Sequence, residues 1–303
     1  MGSIPAELMR FLEPRFGTVT GEQFLSGVAG DGAKRLAFAD GKSAIVKSST
    51  SSWERNFYEK SAQVVRRLNV GIPELYWSGS DERGRQWILI EDIPNAFPRE
   101  RWVGDEQQIA TLLRLHVGTW KDKRLTLDAD SYKPSWDDEM SAGTSAWFPA
   151  GYQRDRVAEQ LAMIQREAQV LFQPICSISA DPNPTNWRVR KDGELVLIDW
   201  ERFTYGHPAI DLAITMPGLG SPDGLMERGL ARVYLSGWKQ DIGQEAAELS
   251  HLERLIRVAK LWTIVEFVAR VKLHPTRSQE ETTAHIVHEL PRVMDELLRD
   301  AIS

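Results

Sequence analysis

The chain has 303 residues, of which 42% are hydrophobic and 26% are charged, and its formal net charge is -6. This length and composition are typical of a soluble globular protein with one large domain or two unequal lobes, and they exclude disordered and collagen-like chains. The negative charge disfavours a nucleic-acid partner, which needs a basic surface, and mildly favours a cationic small molecule.

The sequence also gives an expectation about secretion and membrane insertion. Its longest apolar stretch, residues 261–271, is interrupted by Glu266 and Arg270, whereas a membrane-spanning helix needs about 20 apolar residues. The first five residues lack the basic and apolar segments of a signal peptide, and the single cysteine, Cys176, cannot form an intrachain disulfide. We therefore expect a cytoplasmic protein without a membrane partner.

The first part of the chain predicts an antiparallel sheet crossed by one helix. Alternating or continuous apolar runs predict strands at residues 34–39, 43–47, 74–79 and 87–91. Between the second and third strands, apolar residues recur at helical spacing over residues 51–68, and the pattern from Ser51 to Glu54 predicts a capping box at the start of this helix.

From residue 92 onward the periodicity becomes helical. Apolar residues recur three or four positions apart in residues 105–121, 154–171, 224–238, 244–271 and 280–301. We therefore predict an α+β fold with a small antiparallel-sheet lobe over residues 1–91 and a larger, mainly helical lobe over residues 92–303.

One polar loop interrupts the helical part. Two apolar runs flank the turn-rich residues 180–186, which contain Asp181 and Asn186, and Asp199 directly follows the apolar run 195–198. Mg²⁺ prefers hard oxygen ligands, so an amide oxygen and one carboxylate from this block could hold it. The second carboxylate would then be free for proton transfer.

Three segments, residues 181–186, 197–201 and 208–213, resemble the aminoglycoside phosphotransferase and choline kinase superfamily. Members carry the loop H-G-D-x-H-x-x-N and a later I-D-W in a bilobal fold similar to that of protein kinases. The resemblance implies transfer of the ATP γ-phosphoryl group to a hydroxyl of a small molecule of the amino-alcohol, sugar or aminoglycoside type. It also implies that Asp181 is the base and that Asn186 and Asp199 bind magnesium.

The chain lacks both histidines of that motif. Ser179 stands where the family has its first His, and Asn183 stands where it has the second. Because the first His usually supports the loop, a hydroxyl there is compatible with an active kinase, and equally with a pseudokinase that binds nucleotide without turnover. A scaffold that binds no nucleotide is a third alternative.

The first lobe offers a cation for the nucleotide phosphates. Residues 43–47, Ser-Ala-Ile-Val-Lys, are similar to the V-A-I-K strand of kinases, which implies that Lys47 neutralises the α and β phosphates. Glu54 shares a helical stripe with apolar residues and is chosen over Glu59 as the anion that orients Lys47. The alternative is that Glu54 only completes the capping box.

The remaining nucleotide contacts are predicted from weaker signals. Gly30, between two strand candidates, would let the backbone approach a phosphate, although a plain turn explains it as well. The connector containing Glu91 and Ile93 resembles the hinge whose main chain meets adenine in kinase-like folds.

Substrate contacts and histidine roles are also assigned from the sequence. Among eleven tryptophans, Trp200 and Trp136, together with the adjacent Glu201 and Asp137, are candidates to bind a cationic or sugar-like acceptor, although such residues also occur on solvated surfaces. Three further residues near the motifs are expected to be structural or are left without a catalytic role: Asp211, His116 and His207.

Overall fold

The structure, a computed structural model, describes residues 4–25, 32–122, 131–217, 224–273 and 277–299. Within these ranges no helix is both long enough and apolar enough to cross a membrane. The helices are α1 (Ala6–Phe16), α2 (Trp53–Asn56), α3 (Ala62–Arg67), α4 (Glu106–Gly118), α5 (Asp138–Ser145), α6 (Tyr152–Ala168), α7 (Pro208–Thr215), α8 (Leu225–Ile242), α9 (Leu252–Leu273) and α10 (Arg277–Arg299).

The strands divide into one larger sheet and two short pairs. They are β1 (Val19–Leu25), β2 (Ala33–Phe38), β3 (Ser43–Ser49), β4 (Leu75–Ser80), β5 (Gln86–Glu91), β6 (Cys176–Ile178), β7 (Trp187–Val189), β8 (Leu195–Leu197) and β9 (Thr204–Gly206). Within the described residues, the antiparallel sheet has the order β1-β2-β3-β5-β4, while β6 pairs with β9 and β7 pairs with β8.

The chain divides into two compact units, and neither is continuous in sequence. The first comprises Met1–Phe97, Arg124–Tyr132 and Thr185–Phe203, and the second comprises the remaining three segments. The first unit thus contains Thr185–Phe203, which a single division after residue 91 would place in the second lobe. The reason is local, because β7 and β8 hydrogen-bond to the chain before them, at Phe97 and Gly71.

In the first unit the pleat of β3 decides what each side chain faces. Ala44 and Val46 are fully buried and join a core that includes Leu8 and Leu12 of α1. Because side chains alternate along a strand, Lys47 lies on the opposite face, and its side chain is 23% exposed. The predicted strands and the helix that follows β3 are confirmed, with shifts of one or two residues at their ends.

The second unit is mainly helical, as predicted. The helix α9 lies at its centre and packs against α5, α6, α7, α8 and α10. The predicted helix over residues 244–271 instead begins at Leu252, after a short 3-10 turn at Ala247–Leu249. Among the described helices, α1 and α5 had no counterpart among the predicted elements.

Candidate functional site

In the first unit, Lys47 is held between two carboxylates. Its Nζ lies 2.5 Å from Oε2 of Glu54 and 2.8 Å from Oδ1 of Asp199. Glu54 is buried on α2, whereas Lys47 and Asp199 are partly exposed. The chain therefore brings together three of the residues predicted from separate motifs.

The structure separates Glu54 from Glu59. Glu59 is exposed and accepts hydrogen bonds from Arg55 at 2.8 Å and from Ser78 at 2.7 Å, so its carboxylate is satisfied on the surface. The predicted capping box is not formed, because the residue that precedes α2 is Ser52, whose side chain makes no capping hydrogen bond. The ion pair with Lys47, rather than a helix cap, is thus the interaction of Glu54.

Burial and charge set the ionisation of this group of residues. Burial alone would lower the pKa of Lys47, but the charges of Asp199 and Glu54 outweigh it and raise that pKa well above its usual value. Burial raises the pKa of Glu54 to about 7, and the nearby Asp199 adds to this effect while Lys47 opposes it. Lys47 therefore stays protonated and can bind an anion.

The segment after Asp199 packs against the helix that carries Glu54. The ring of Trp200 stacks on that of Phe57, with centroids 4.4 Å apart and an interplanar angle of 2°, and its indole N–H donates to the Leu197 carbonyl at 2.8 Å. Phe57 opens a single π-helical turn, Phe57–Ser61, between α2 and α3, a feature frequent at functional sites. Asp199 itself has a left-handed backbone, with φ 66.

Strand pairing places the backbone of Asn186 beside Ile198, the residue before Asp199. Trp187 of β7 pairs with Leu197 of β8, and the Ile198 N–H donates to the Asn186 carbonyl at 2.9 Å. Asn186 therefore directly precedes β7, and Asp199 comes shortly after β8 of the same hairpin. An amide oxygen and a carboxylate are hard donors that fit Mg²⁺, so the residues present suit the predicted ion.

A glycine supports the strand that leads to Asp199. The Gly71 carbonyl accepts a hydrogen bond from the Leu197 N–H at 2.9 Å, and a Cβ at position 71 would lie 2.1 Å from the Leu195 carbonyl oxygen. Only glycine permits this close approach of two backbones.

The segment after β5 has a fixed side-chain framework. Glu91 accepts from Nη2 of Arg190 at 2.5 Å, and Asp92 accepts from Nε of Arg35 at 2.6 Å and from the Ser43 hydroxyl at 2.6 Å. Ile93 is buried, and its N–H has no hydrogen-bond partner in the part of the chain that the structure describes.

The predicted phosphate-loop glycine, Gly30, lies outside the described residues. The nearby Gly32 is described, and its carbonyl accepts from the Ser48 N–H at 3.3 Å.

In the second unit, the backbone before Asp181 is tied down on both sides. The Asp211 carboxylate accepts from the N–H groups of Ser179 at 3.0 Å and Ala180 at 2.8 Å. The Ser179 hydroxyl in turn accepts from the Asp181 N–H at 3.3 Å. Ser179 therefore supports the loop with its own side chain, and Asp211 is the buried structural carboxylate that was expected.

The predicted substrate residues have structural surroundings of their own. Trp200 is fully buried, and Trp136 is 3% exposed with its indole N–H bound to the Ser141 hydroxyl at 2.8 Å. Asp137 is exposed and caps α5 by accepting from the Met140 N–H. Because their rings are buried, neither indole presents a face to a substrate. Glu201, directly after Trp200, is partly exposed.

His207 is a helix cap rather than an acid or base. Its Nδ1 accepts from the Ala209 N–H at 3.1 Å at the start of α7, and its Nε2 lies 2.8 Å from the Glu248 carbonyl. Burial lowers its pKa to about 4, so the ring is neutral at physiological pH.

Sequence reasoning missed three residues that organise these surroundings. The ion pair of Arg35 and Asp92 connects β2 to the segment after β5, and no sequence motif indicates this pair. The left-handed Ala180, with φ 58, precedes the predicted base. Only the turn-rich composition around it gave a signal.

The model of a family described as phosphotransferase enzymes matches residues 23–241. Comparison with curated protein sequences gives no significant match.

Several solved structures share the fold. Amicoumacin kinase hAmiN, in complex with AMP-PNP, Ca²⁺ and Ami, has a TM-score of 0.59 at 15% identity, over 96% of this chain and 94% of that one. Spectinomycin phosphotransferase APH(9)-Ia, with ADP and spectinomycin, has a TM-score of 0.60 at 12% identity, over 98% and 99%. A thermostable mutant of aminoglycoside phosphotransferase APH(4)-Ia, with AMP-PNP and hygromycin B, has a TM-score of 0.57 at 14% identity, over 95% and 99%.

Proposed function

Since the chain belongs to the phosphotransferase enzyme family, as its motifs predicted, we propose that it transfers the γ-phosphoryl group of ATP to a hydroxyl of a small molecule. The single observation that carries this proposal is Lys47, whose ammonium contacts both Glu54 and Asp199. A protonated lysine fixed by a buried glutamate beside a candidate metal ligand is the arrangement that phosphoryl transfer needs, because catalysis depends on alignment and charge neutralisation.

Each residue then has one role in binding or proton transfer. Lys47, oriented by Glu54, would bind the α and β phosphates, and the main chain at Ile93, after Glu91, would meet the adenine. Asn186 and Asp199 would hold Mg²⁺, which supplies charge neutralisation for the phosphates when bound. Asp181 would accept the proton of the acceptor hydroxyl.

The acceptor is proposed by class only. Three of the solved structures with the same fold are an amicoumacin kinase with Ami, an aminoglycoside phosphotransferase with hygromycin B and a spectinomycin phosphotransferase with spectinomycin. The net charge of -6 favours a cationic molecule. We therefore propose an amino-alcohol, sugar or aminoglycoside acceptor. The proposal includes a cytoplasmic location and no nucleic-acid partner.

The test is ADP release by the purified full chain with Mg-ATP and a panel of amino-alcohols, sugars and aminoglycosides. At least one acceptor should stimulate ADP release, and Asp181→Asn should lower kcat by about 10²–10⁴-fold because it removes the base. The matched control is Asp40→Asn, an exposed aspartate in the turn after β2, which should leave turnover unchanged.

Two other outcomes would overturn the proposal. If Mg-ATP raises the melting temperature but no acceptor stimulates ADP release, the protein is a nucleotide-binding pseudokinase. If Mg-ATP gives no thermal shift, the protein is a scaffold that does not bind nucleotide.

A further inference from the structure

The second unit contains a buried carboxylate that links the loop of Asp181 to two helices. Asp211 of α7 is fully buried and accepts the N–H groups of Ser179 and Ala180 through its two oxygens. The Oδ2 atom that binds Ser179 also lies 3.1 Å from Nε2 of His116, a fully buried residue of α4. Three donors therefore converge on one carboxylate.

The imidazole of His116 is oriented at both nitrogens. Its Nδ1 lies 3.0 Å from the hydroxyl of Tyr234 on α8, and the two ring centroids are 5.8 Å apart. The geometry suits the tautomer in which Nε2 donates to the Asp211 carboxylate and Nδ1 accepts from the Tyr234 hydroxyl. A helix far from the loop in sequence thus holds Asp211 in a single orientation.

The loop needs this support because its backbone is strained. Ala180 has φ 58, in the left-handed region that is unfavourable for a residue with a Cβ. The Asp211 carboxylate binds the N–H of Ala180 itself and that of the residue before it, so it stabilises this conformation directly. The direction in which the next residue, Asp181, leaves the loop follows from that conformation.

We propose that His116 is a positioning residue for phosphoryl transfer, which acts through Asp211 to hold the Ser179–Ala180 backbone in the conformation that presents Asp181. The inference rests on the proposed function, in which Asp181 is the base. His116 touches neither substrate nor nucleotide in this role. Removing its donor should therefore change the catalytic step and leave nucleotide binding unchanged.

The experiment compares three substitutions in the full chain. His116→Leu replaces the ring by an apolar side chain of similar bulk and so removes the donor to Asp211, whereas His116→Gln supplies an amide N–H in its place. Tyr234→Phe removes only the hydroxyl that fixes Nδ1, and it provides the readout if His116→Leu does not fold. The matched control is His288→Gln, whose side chain is 85% exposed on α10.

Two measurements decide the matter. Amide hydrogen exchange should show faster exchange at Ser179 and Ala180 in His116→Leu, with amides of α8 unchanged and with protection largely restored in His116→Gln. In ADP release with Mg-ATP and a stimulating acceptor, kcat should fall about 10–100-fold in His116→Leu, because small displacements of catalytic groups carry costs of this size. The KM for ATP should stay within about twofold, and Tyr234→Phe should give a smaller effect of the same kind.

Other results would overturn the proposal. Unchanged exchange at Ser179 and Ala180 in His116→Leu would show that the loop does not depend on the histidine, and a uniform loss of protection across the second unit would show a merely structural role. If the wild-type protein transfers no phosphoryl group, the proposed function fails, but the exchange measurement still decides whether His116 holds the loop.

Discussion

The ammonium of Lys47 lies 2.8 Å from a carboxylate oxygen of Asp199, although 152 residues separate them in the chain. One residue comes from the third strand of the sheet and the other follows a short hairpin formed much later. This contact joins the predicted phosphate-binding cation to a predicted metal ligand.

Replacing Lys47 by methionine should weaken nucleotide binding. A charge-assisted hydrogen bond contributes about 1.5–3 kcal/mol, so the affinity for Mg-ATP should fall by roughly 10–100-fold. The rise in melting temperature with Mg-ATP measures this loss. The control is Lys42→Met, because the side chain of Lys42 is 69% exposed and pairs with Asp40 in a turn, so an equal loss in this variant would refute the role of Lys47.

The two glutamates of the helix after β3 should behave differently. Glu54→Gln removes the charge that orients Lys47, so kcat/KM for ATP should fall by about 10–100-fold once an acceptor is known. Glu59→Gln breaks only a surface pair with Arg55, for which about 0.3–0.5 kcal/mol is typical. Steady-state kinetics of both variants provide the comparison, and equal rates would show that Glu54 has no special role.

The stack of Phe57 on Trp200 should dominate the local packing energy. Phe57 is 3% exposed, and truncating a buried phenylalanine to alanine costs about 3–5 kcal/mol. The free energy of unfolding of Phe57→Ala, measured with denaturant, should fall by that amount. Phe24→Ala is the control, since Phe24 is 67% exposed, and its effect should stay below about 1 kcal/mol.

His207 should make the protein less stable in acid. Its pKa is about 4 in the folded chain against an ordinary value of 6.5, so the unfolded chain binds more protons between these pH values and stability falls as the pH drops through this window. The contribution amounts to about 2 kcal/mol at pH 5.

The variant His207→Asn isolates this effect. Asparagine also caps helices but does not titrate, so its loss of stability from pH 7 to pH 5 should be about 2 kcal/mol smaller than that of the wild type. Denaturant unfolding at the two pH values measures the difference. If both proteins lose the same stability from pH 7 to pH 5, His207 does not gain a proton on unfolding.

Local patterns predicted the sheet and the site residues that lie on it. The alternation of β3 gives both its strand character and the side on which Lys47 lies, and helical spacing separates Glu54 from Glu59. The chain between 181 and 199 is short, so its motif could be identified from the linear sequence. These predictions needed only residues that lie close together in the sequence.

The remaining features depend on contacts that no local pattern encodes. Helix α5 contains Ser, Gly and Thr in place of an apolar stripe, and Trp136 and Asp137 anchor its start. The burial of Trp200 follows from a stack on Phe57, which lies far away in sequence. The contact between His116 and Asp211 is likewise tertiary, so each residue could be identified as structural from the sequence but not paired with the other.

The discontinuous first unit has a consequence for how the chain folds as it is made. A ribosome that has synthesised residue 97 must still add more than a hundred residues before residue 203 emerges, which takes about 5–20 s at ordinary elongation rates. During that interval Lys47 can pair with Glu54 but not with Asp199. Truncated fragments that end after the sheet would also lack Thr185–Phe203, so the unit has to be expressed and studied within the full chain.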